Sequence, residues 1–122
     1  MAGTIQLYPP ATREMSAQRA SLAPAQVAAF RAFSQAVFAD GALPAKTKQL
    51  IAVAVAHVTQ CPYCIRDHTG KALHAGAKPE EIMEAIWVAS EMRAGAAYAH
   101  AALALDVIEH APAPAPALAE RK

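Results

Sequence analysis

Apolar residues follow the period of an α-helix in the first half of the chain. After Pro24 they recur at intervals of three and four residues, which is the spacing of one helix face. These positions are Val27, Phe30, Phe33, Ala36 and Val37. Because glycine is a common helix stop and Gly41 follows this stretch, the pattern predicts a first helix from Pro24 to Asp40.

The next segment, Ala45 to Thr59, alternates large and small apolar residues over Ile51 to Ala56. On period alone this alternation also fits a buried strand. We predict a helix, because alanine at every second position is poor strand material and because the apolar block is longer than most strands.

Two further helical segments are predicted, the first of which begins within the sequence Cys61-Pro62-Tyr63-Cys64. Pro62 fits the first turn of a third helix that ends near Ala75. Pro79, followed by two glutamates, begins another apolar stripe that reaches Glu109, and Arg93 to Ala96 is a candidate break within it. The sequence therefore predicts an all-α protein with about five to six helices.

Neither end of the chain carries a helix pattern. Pro9 and Pro10 lie in a mixed polar run, which predicts an extended N-terminal arm over residues 1–20. Residues 111–122 begin with alternating alanine and proline, a pattern that cannot form helix and predicts a disordered tail. The helical domain is therefore expected to occupy residues 21–110.

Composition and charge narrow the range of functions. The 122 residues suffice for one domain, and much of the 55% hydrophobic content is alanine, so a thin core and self-association are expected. A net charge of +1 predicts neither nucleic-acid nor membrane binding. No stretch approaches the roughly 18 apolar residues of a membrane span, and we find no secretory leader. A cytoplasmic location is the default expectation.

The chemistry is expected at Cys61, Cys64 and His68. On a helix that begins near Pro62, separations of three, four and seven residues place these side chains on one face. The backbone N–H groups and dipole at the start of a helix stabilise a thiolate, and a nearby imidazole can exchange a proton. This arrangement suits peroxide reduction or disulfide exchange, in which a sulfenic acid condenses with the second thiol.

Three other interpretations of the cysteine pair are weaker. A zinc site needs four ligands and no second ligand pair is present, although a site built from the two cysteines, His68 and another histidine stays open. Covalent haem requires histidine directly after the second cysteine, where this chain has Ile65. The tetrapeptide also matches glutaredoxins, but the strands of a thioredoxin-like fold are not predicted here. We therefore expect no metal and no cofactor.

Three longer stretches carry a family resemblance: Lys46 to Ala56, Gln60 to Thr69, and Ala75 to Ala85. In order and spacing they resemble the AhpD-like alkylhydroperoxidase group of the carboxymuconolactone decarboxylase superfamily, over roughly Pro24 to Leu105. The resemblance implies an all-helical domain that forms homotrimers or homohexamers, with a C-x-x-C-x-x-x-H site near subunit contacts. It also implies a hydroperoxide substrate and a thiol or dithiol electron donor.

The resemblance further implies roles for individual residues. Cys64 would attack the peroxide, Cys61 would resolve the product, and His68 would relay protons. Gln49 stands where the family pattern has a glutamate, and an amide cannot exchange a proton near neutral pH. Tyr63 stands where some members carry a second histidine, and a phenol is a poor base at pH 7.

Two functional hypotheses follow. The first is a thiol-dependent peroxidase or disulfide oxidoreductase that protects against hydroperoxides. The second, motivated by Gln49, is a non-catalytic oligomer that serves as a redox-sensing or binding protein. A lactone decarboxylase is not favoured, because members that resemble the true decarboxylases lack the cysteine pair. His57 lies one turn before Cys61 and is expected to be a partly buried helix histidine outside the site.

Overall fold

The structure, a computed structural model, describes residues 7–116 and contains five α-helices and no strand within that range. The helices are α1 (Arg13–Leu22), α2 (Pro24–Phe38), α3 (Ala45–Thr59), α4 (Pro62–His74) and α5 (Pro79–His110). The all-α prediction is confirmed, including the helical interpretation of the alternating segment in α3. Without strands on either side of the cysteine pair, the glutaredoxin interpretation does not hold.

The turn between α2 and α3 explains why α2 ends two residues before the predicted Asp40. The Lys48 ammonium donates hydrogen bonds to the carbonyls of Val37 and Ala39, at 2.8 and 2.5 Å. These carbonyls at the end of α2 have no partner within the helix, so Lys48 supplies their hydrogen bonds. The Asp40 carboxylate accepts from the backbone N–H of Ala45 at 2.7 Å. Asp40 therefore belongs to the start of α3 rather than to α2.

The extended arm predicted for residues 1–20 is helical from Arg13 onward. The Thr12 hydroxyl accepts a hydrogen bond from the backbone N–H of Met15 at 3.1 Å, which caps α1, and Glu14 lies in the acid-favouring first turn. This capping signal is present in the sequence, but Pro9 and Pro10 just before it favour an extended chain. Residues 7–12 have no regular structure, and the rest of the predicted arm, residues 1–6, lies outside the described residues.

Helix α5 runs without interruption through the predicted break at Arg93 to Ala96. A single glycine costs a helix only about 1 kcal/mol relative to alanine, and alanines on both sides of Gly95 offset that cost. Residues 111–116 are irregular, while residues 117–122 lie outside the described range, so the disordered tail stays a prediction. Within residues 7–116, no helix has the length and apolar character needed to cross a membrane.

By packing, the chain divides into two compact units, Met1–Ser90 and Glu91–Lys122. The core of the first unit is a small cluster of buried residues, with Leu50 and Ile86 packed against it. Its members are Val53, Ala72, Ala77 and Ile82. Val53 is the only large side chain among the described residues that is fully buried, which agrees with the thin core expected from the alanine content.

This core fixes the positions of two polar residues. Gln49 lies one turn before Val53 on α3, and His68 lies one turn before Ala72 on α4. Because residues four apart share a helix face, Gln49 and His68 lie on the faces of α3 and α4 that carry these core residues, and the Gln49 amide oxygen and His68 Nδ1 are 2.8 Å apart. The core therefore continues directly into the candidate site.

Candidate active site

The turn between α3 and α4 places Cys61 at the start of a helix. Gln60 adopts the left-handed conformation (φ 57°, ψ 47°) and ends α3, and the N–H of Cys61 donates to the Ala56 carbonyl at 3.1 Å. Pro62 then occupies the first helical position, for which its fixed φ is suited. Cys61 is consequently the N-cap residue of α4.

As N-cap, Cys61 has an extended backbone (φ −100°, ψ 102°), and its sulfur accepts a hydrogen bond from the backbone N–H of Cys64 at 3.3 Å. Serine, threonine and aspartate commonly fill this role with oxygen. Here a sulfur takes it, at the end of the helix where the dipole favours negative charge. Both cysteines are free thiols and partly buried.

The two thiols differ in acidity. Hydrogen bonds from the Cys64 thiol and from the Cys64 backbone N–H hold the pKa of Cys61 below its ordinary value. The same thiol–thiol bond, with burial and the neighbouring charges of Cys61 and Asp67, raises the pKa of Cys64. The reduced pair therefore favours a thiolate on Cys61, with the remaining proton on Cys64.

The His68 ring is held from two sides. Its Nδ1 lies 2.8 Å from the Gln49 amide oxygen, and its face stacks on Phe38 with ring centroids 5.1 Å apart and planes inclined by 27°. An amide oxygen only accepts, so Nδ1 carries the proton and Nε2 keeps a lone pair. Nε2 lies 3.8 Å from an Asp67 carboxylate oxygen, which is too long for a hydrogen bond.

The structure brings together Gln49 with His68, and Cys61 with Cys64. Within residues 7–116 it records no hydrogen bond between the His68 ring and either sulfur. Proton exchange between them therefore requires a bridging water or a small movement of a thiol rotamer, which is common in active sites without substrate. Fixing Nδ1 as the donor leaves Nε2 as the nitrogen that can take up a proton.

Burial makes the protonated form of His68 unfavourable. Desolvation lowers the pKa of His68 from its ordinary value near 6.5, while the carboxylate of Asp67 partly opposes this shift. A lowered pKa means that the unfolded chain binds more protons than the folded one between the two values. The imidazole is therefore neutral at pH 7.

From this shift we expect the free energy of unfolding to be fully maintained above about pH 6.5 and to fall as the pH drops through the lower folded pKa of His68. Urea unfolding between pH 7 and 5 measures the slope. His68→Gln should flatten it, while His74→Gln, the same change at an exposed histidine of α4, should retain it. An equal slope in wild type and His68→Gln would contradict the assignment.

Tyr63 makes its contacts with the N-terminal segment. Its hydroxyl donates to the Pro9 carbonyl at 2.8 Å, and its ring meets Tyr8 edge to face at 6.0 Å. These partners, like the Phe38 ring on His68, are distant in sequence and carry no motif, so sequence patterns could not identify them. Tyr63 thus anchors residues 8 and 9 beside the cysteine pair, and its hydroxyl proton is already engaged.

The remaining candidates lie apart from this group. The Nδ1–H of His57 donates to the carbonyl of Val53 in its own helix, at 2.8 Å, as expected for a partly buried helix histidine. In the part of the chain that the structure describes, no three His, Cys, Asp or Glu side chains are grouped so as to hold a metal ion.

A family model now decides the classification. The model of the carboxymuconolactone decarboxylase family matches residues 24–107, which include α2 to α4, both cysteines, Gln49 and His68. The chain belongs to the carboxymuconolactone decarboxylase family.

Two similar proteins show how far the likeness of this carboxymuconolactone decarboxylase family member extends in sequence and in structure. An uncharacterised protein of the cox locus of Paracoccus denitrificans is 69% identical over 81 residues, which cover 66% of this chain and 73% of the relative. A carboxymuconolactone decarboxylase family protein of Legionella pneumophila has a similar structure, with a TM-score of 0.64 and 36% identity, covering 79% of this chain and 86% of that one.

A third similar structure comes from a carboxymuconolactone decarboxylase family protein of Thermotoga maritima, for which a role in antioxidative response has been suggested. It matches with a TM-score of 0.50 and 36% identity over 52% of this chain and 66% of that one. The family and the helical fold are thereby established.

Proposed function

We propose that this protein is a thiol-dependent oxidoreductase that reduces hydroperoxides by cycling Cys61 and Cys64 between dithiol and disulfide. The observation that carries the proposal is the Cys61 sulfur at the start of α4, hydrogen-bonded to the Cys64 backbone N–H. This geometry lowers the pKa of one thiol while the second lies within bonding reach. Family membership and the suggested antioxidative role of the Thermotoga maritima protein support it.

In the proposed cycle the Cys61 thiolate attacks the terminal peroxide oxygen. The O–O bond breaks, an S–O bond forms, and the leaving alkoxide takes a proton to give the alcohol. The Cys64 thiolate then attacks the sulfenic sulfur, which forms the disulfide and expels hydroxide. The donor, an external thiol or dithiol, restores both thiols and becomes a disulfide itself.

The hydrogen bond from the Cys64 backbone N–H to the Cys61 sulfur supports attack by Cys61, whereas the family resemblance implies attack by Cys64. We adopt the assignment to Cys61, because nucleophilic attack requires the thiolate and the Cys64 pKa is raised. His68 Nε2, through water, would accept the Cys64 proton before the disulfide forms. Gln49 holds the ring in the tautomer that this step needs.

The active form in this proposal is a homotrimer or homohexamer. Large apolar side chains are exposed on the single chain, which is typical of an unpaired association surface. On α2, Phe30 is 67% and Phe33 64% exposed, and on α5 Trp87 is 72% exposed. A core with one fully buried large side chain gains stability when such residues pack against other copies.

The decisive experiment is steady-state consumption of an organic hydroperoxide with dithiothreitol as donor. We expect turnover above the dithiol-only background, with one alcohol formed for each donor disulfide. Native mass spectrometry of the same sample should give three or six times the 12.8 kDa chain mass. A freely reducible Cys61–Cys64 disulfide with turnover at background would overturn the enzymatic proposal.

A second candidate is a non-catalytic redox-sensing or binding oligomer. Two observations favour it: Gln49 cannot exchange protons, and within residues 7–116 no hydrogen bond links His68 to a sulfur. Such a protein would show a measurable dithiol–disulfide midpoint potential and no peroxide turnover. The assay above therefore separates the two candidates.

A further inference from the structure

A pocket of about 400 Å³ lies between the N-terminal segment, α1 and the Tyr63 side chain. The segment contributes Pro9 and Pro10, and α1 contributes Met15 and Arg19. We propose that this pocket, here called the Tyr63 pocket, binds the aromatic ring of an aryl hydroperoxide, and that Tyr63 is the residue that positions it. The reaction of that substrate rests on the proposed peroxidase function, whereas binding of the ring does not.

Tyr63 holds one wall of the pocket in place. Its hydroxyl donates to the Pro9 carbonyl at 2.8 Å, and its ring meets the Tyr8 ring edge to face at 6.0 Å. Tyr63 and Pro9 are 54 residues apart in the sequence. Because residues 7–12 have no regular structure, these contacts, rather than a helix, position this wall. Tyr63 therefore both lines the pocket and fixes its shape.

The second wall is one face of α1, whose lining residues are spaced by three and four positions. They are Thr12, Met15, Ser16 and Arg19. The two hydroxyls already accept hydrogen bonds within the protein, from the Met15 backbone N–H at 3.1 Å and from the Arg31 guanidinium at 3.2 Å. The proline, methionine and tyrosine side chains supply most of the remaining surface, which suits the apolar body of an organic ligand.

Three lining groups favour an aromatic ring over an aliphatic group of the same size. A tyrosine ring attracts a second ring edge to face, and a methionine sulfur makes favourable contacts with aromatic edges. Tyr63 is 41% and Met15 42% exposed, so each has surface that a ligand can cover. The Arg19 guanidinium makes no ion pair within residues 7–116 and can lie over a ring face.

The position of Tyr63 connects the pocket with the thiols. Tyr63 is bonded to Cys64 and lies two residues after Cys61, and consecutive Cα atoms are about 3.8 Å apart. In cumene hydroperoxide the O–O group is one carbon from the ring, so a ring held against Tyr63 keeps the peroxide near the first turn of α4. Hydrogen peroxide has no ring to bind. We therefore expect the preference to appear as a lower KM for the aryl substrate.

Binding is tested without peroxide, by ¹H–¹³C NMR of the methionine methyl groups during titration with 2-phenyl-2-propanol, the alcohol formed from cumene hydroperoxide. We expect a saturable shift of the Met15 signal and none of Met92, which does not line the pocket. The saturated analogue 2-cyclohexyl-2-propanol is similar in size but has no aromatic ring. It should bind about fivefold more weakly, because contacts of a ring with sulfur and guanidinium are lost.

Tyr63→Phe keeps the ring and removes the hydrogen bond to the Pro9 carbonyl. It should weaken binding of 2-phenyl-2-propanol about fivefold, the usual effect of one hydrogen bond. It should also raise the KM for cumene hydroperoxide more than that for hydrogen peroxide, with a smaller change in kcat. The matched change Tyr98→Phe, at a tyrosine of α5 that is 85% exposed, should leave binding unchanged.

Equal shifts of Met15 and Met92, equal or tighter binding of the cyclohexyl analogue, or equal effects of the two tyrosine variants would overturn the pocket. Tighter binding of benzoate than of 2-phenyl-2-propanol would also contradict it, because Arg19 would then be recognising an anion. Saturable binding without turnover would contradict the peroxidase function and leave the pocket intact. Turnover without binding at Met15 would contradict the pocket alone.

Discussion

Replacing either cysteine with serine is expected to abolish dithiol-driven peroxide turnover, with a loss on the order of 10³-fold or more. The disulfide cycle needs both sulfurs, and a serine hydroxyl neither forms a disulfide nor ionises near neutral pH. Initial rates with an organic hydroperoxide and dithiothreitol measure the loss. Circular dichroism should show the helix content retained, because both cysteines are only partly buried.

The two variants should differ in a single turnover without donor. In Cys64→Ser the Cys61 thiolate can still attack, so about one equivalent of peroxide is consumed and a sulfenic acid accumulates on Cys61, where dimedone traps it. In Cys61→Ser the hydrogen bond that is the largest cause of the raised Cys64 pKa is lost, but burial and the charge of Asp67 still oppose ionisation of Cys64. The N-cap position that favours a thiolate is then a serine, so the remaining thiol should react more slowly. A dimedone adduct on Cys64 alone would reverse our assignment in favour of the roles implied by the resemblance.

Local signals in the sequence were enough to predict most of the fold. Pro44, the N-cap of α3, and Pro62, the first residue of α4, predicted where these two helices begin, and the predicted end of α4 near Ala75 lies one residue beyond the observed end. The errors arose where two local signals competed. Near the N-terminus the Pro9–Pro10 pair suggested an extended chain, but the Thr12 cap begins a helix three residues later. In α5 the lone Gly95 predicted a break, but the alanines around it keep the helix continuous.

The sequence predicted the part of the site whose residues are close together along the chain, but not the contacts between different helices. The separations of Cys61, Cys64 and His68 placed them at the start of one helix, and the cysteine pair could be found from sequence alone. The bond between Gln49 and His68 depends on two helices packing through Val53 and Ala72, which periodicity does not specify. The ring contact of Phe38 with His68 depends on the path of the α2–α3 turn and left no signal in the sequence.

Gln49 stands where the resemblance implies a glutamate, and the two side chains would treat the His68 proton differently. A glutamate at this position could accept the Nδ1 proton, whereas the amide can only hold it. The hydrogen bond of 2.8 Å holds the ring with Nδ1 towards the Gln49 amide oxygen.

Removal of the His68 ring is expected to lower peroxide turnover by about 10²-fold, the lower end of the range for a positioned general base. His68→Gln keeps a polar group of similar reach but has no titrating nitrogen, so the acidic limb of the pH–rate profile, set by the lowered pKa of His68, should also disappear. Initial rates of dithiothreitol-driven turnover between pH 5 and 8 measure both effects.

The matched control for this prediction is His57→Gln, because the His57 ring is hydrogen-bonded to the Val53 carbonyl of its own helix, whereas the His68 ring is bonded to Gln49. Its turnover should stay within about twofold of wild type, since surface and partly buried changes of this kind usually have small effects. Equal losses in both variants would mean that the His68 effect is structural. An unchanged acidic limb in His68→Gln would mean that another group takes the proton, and the chemistry would then depend on the cysteines and the helix start alone.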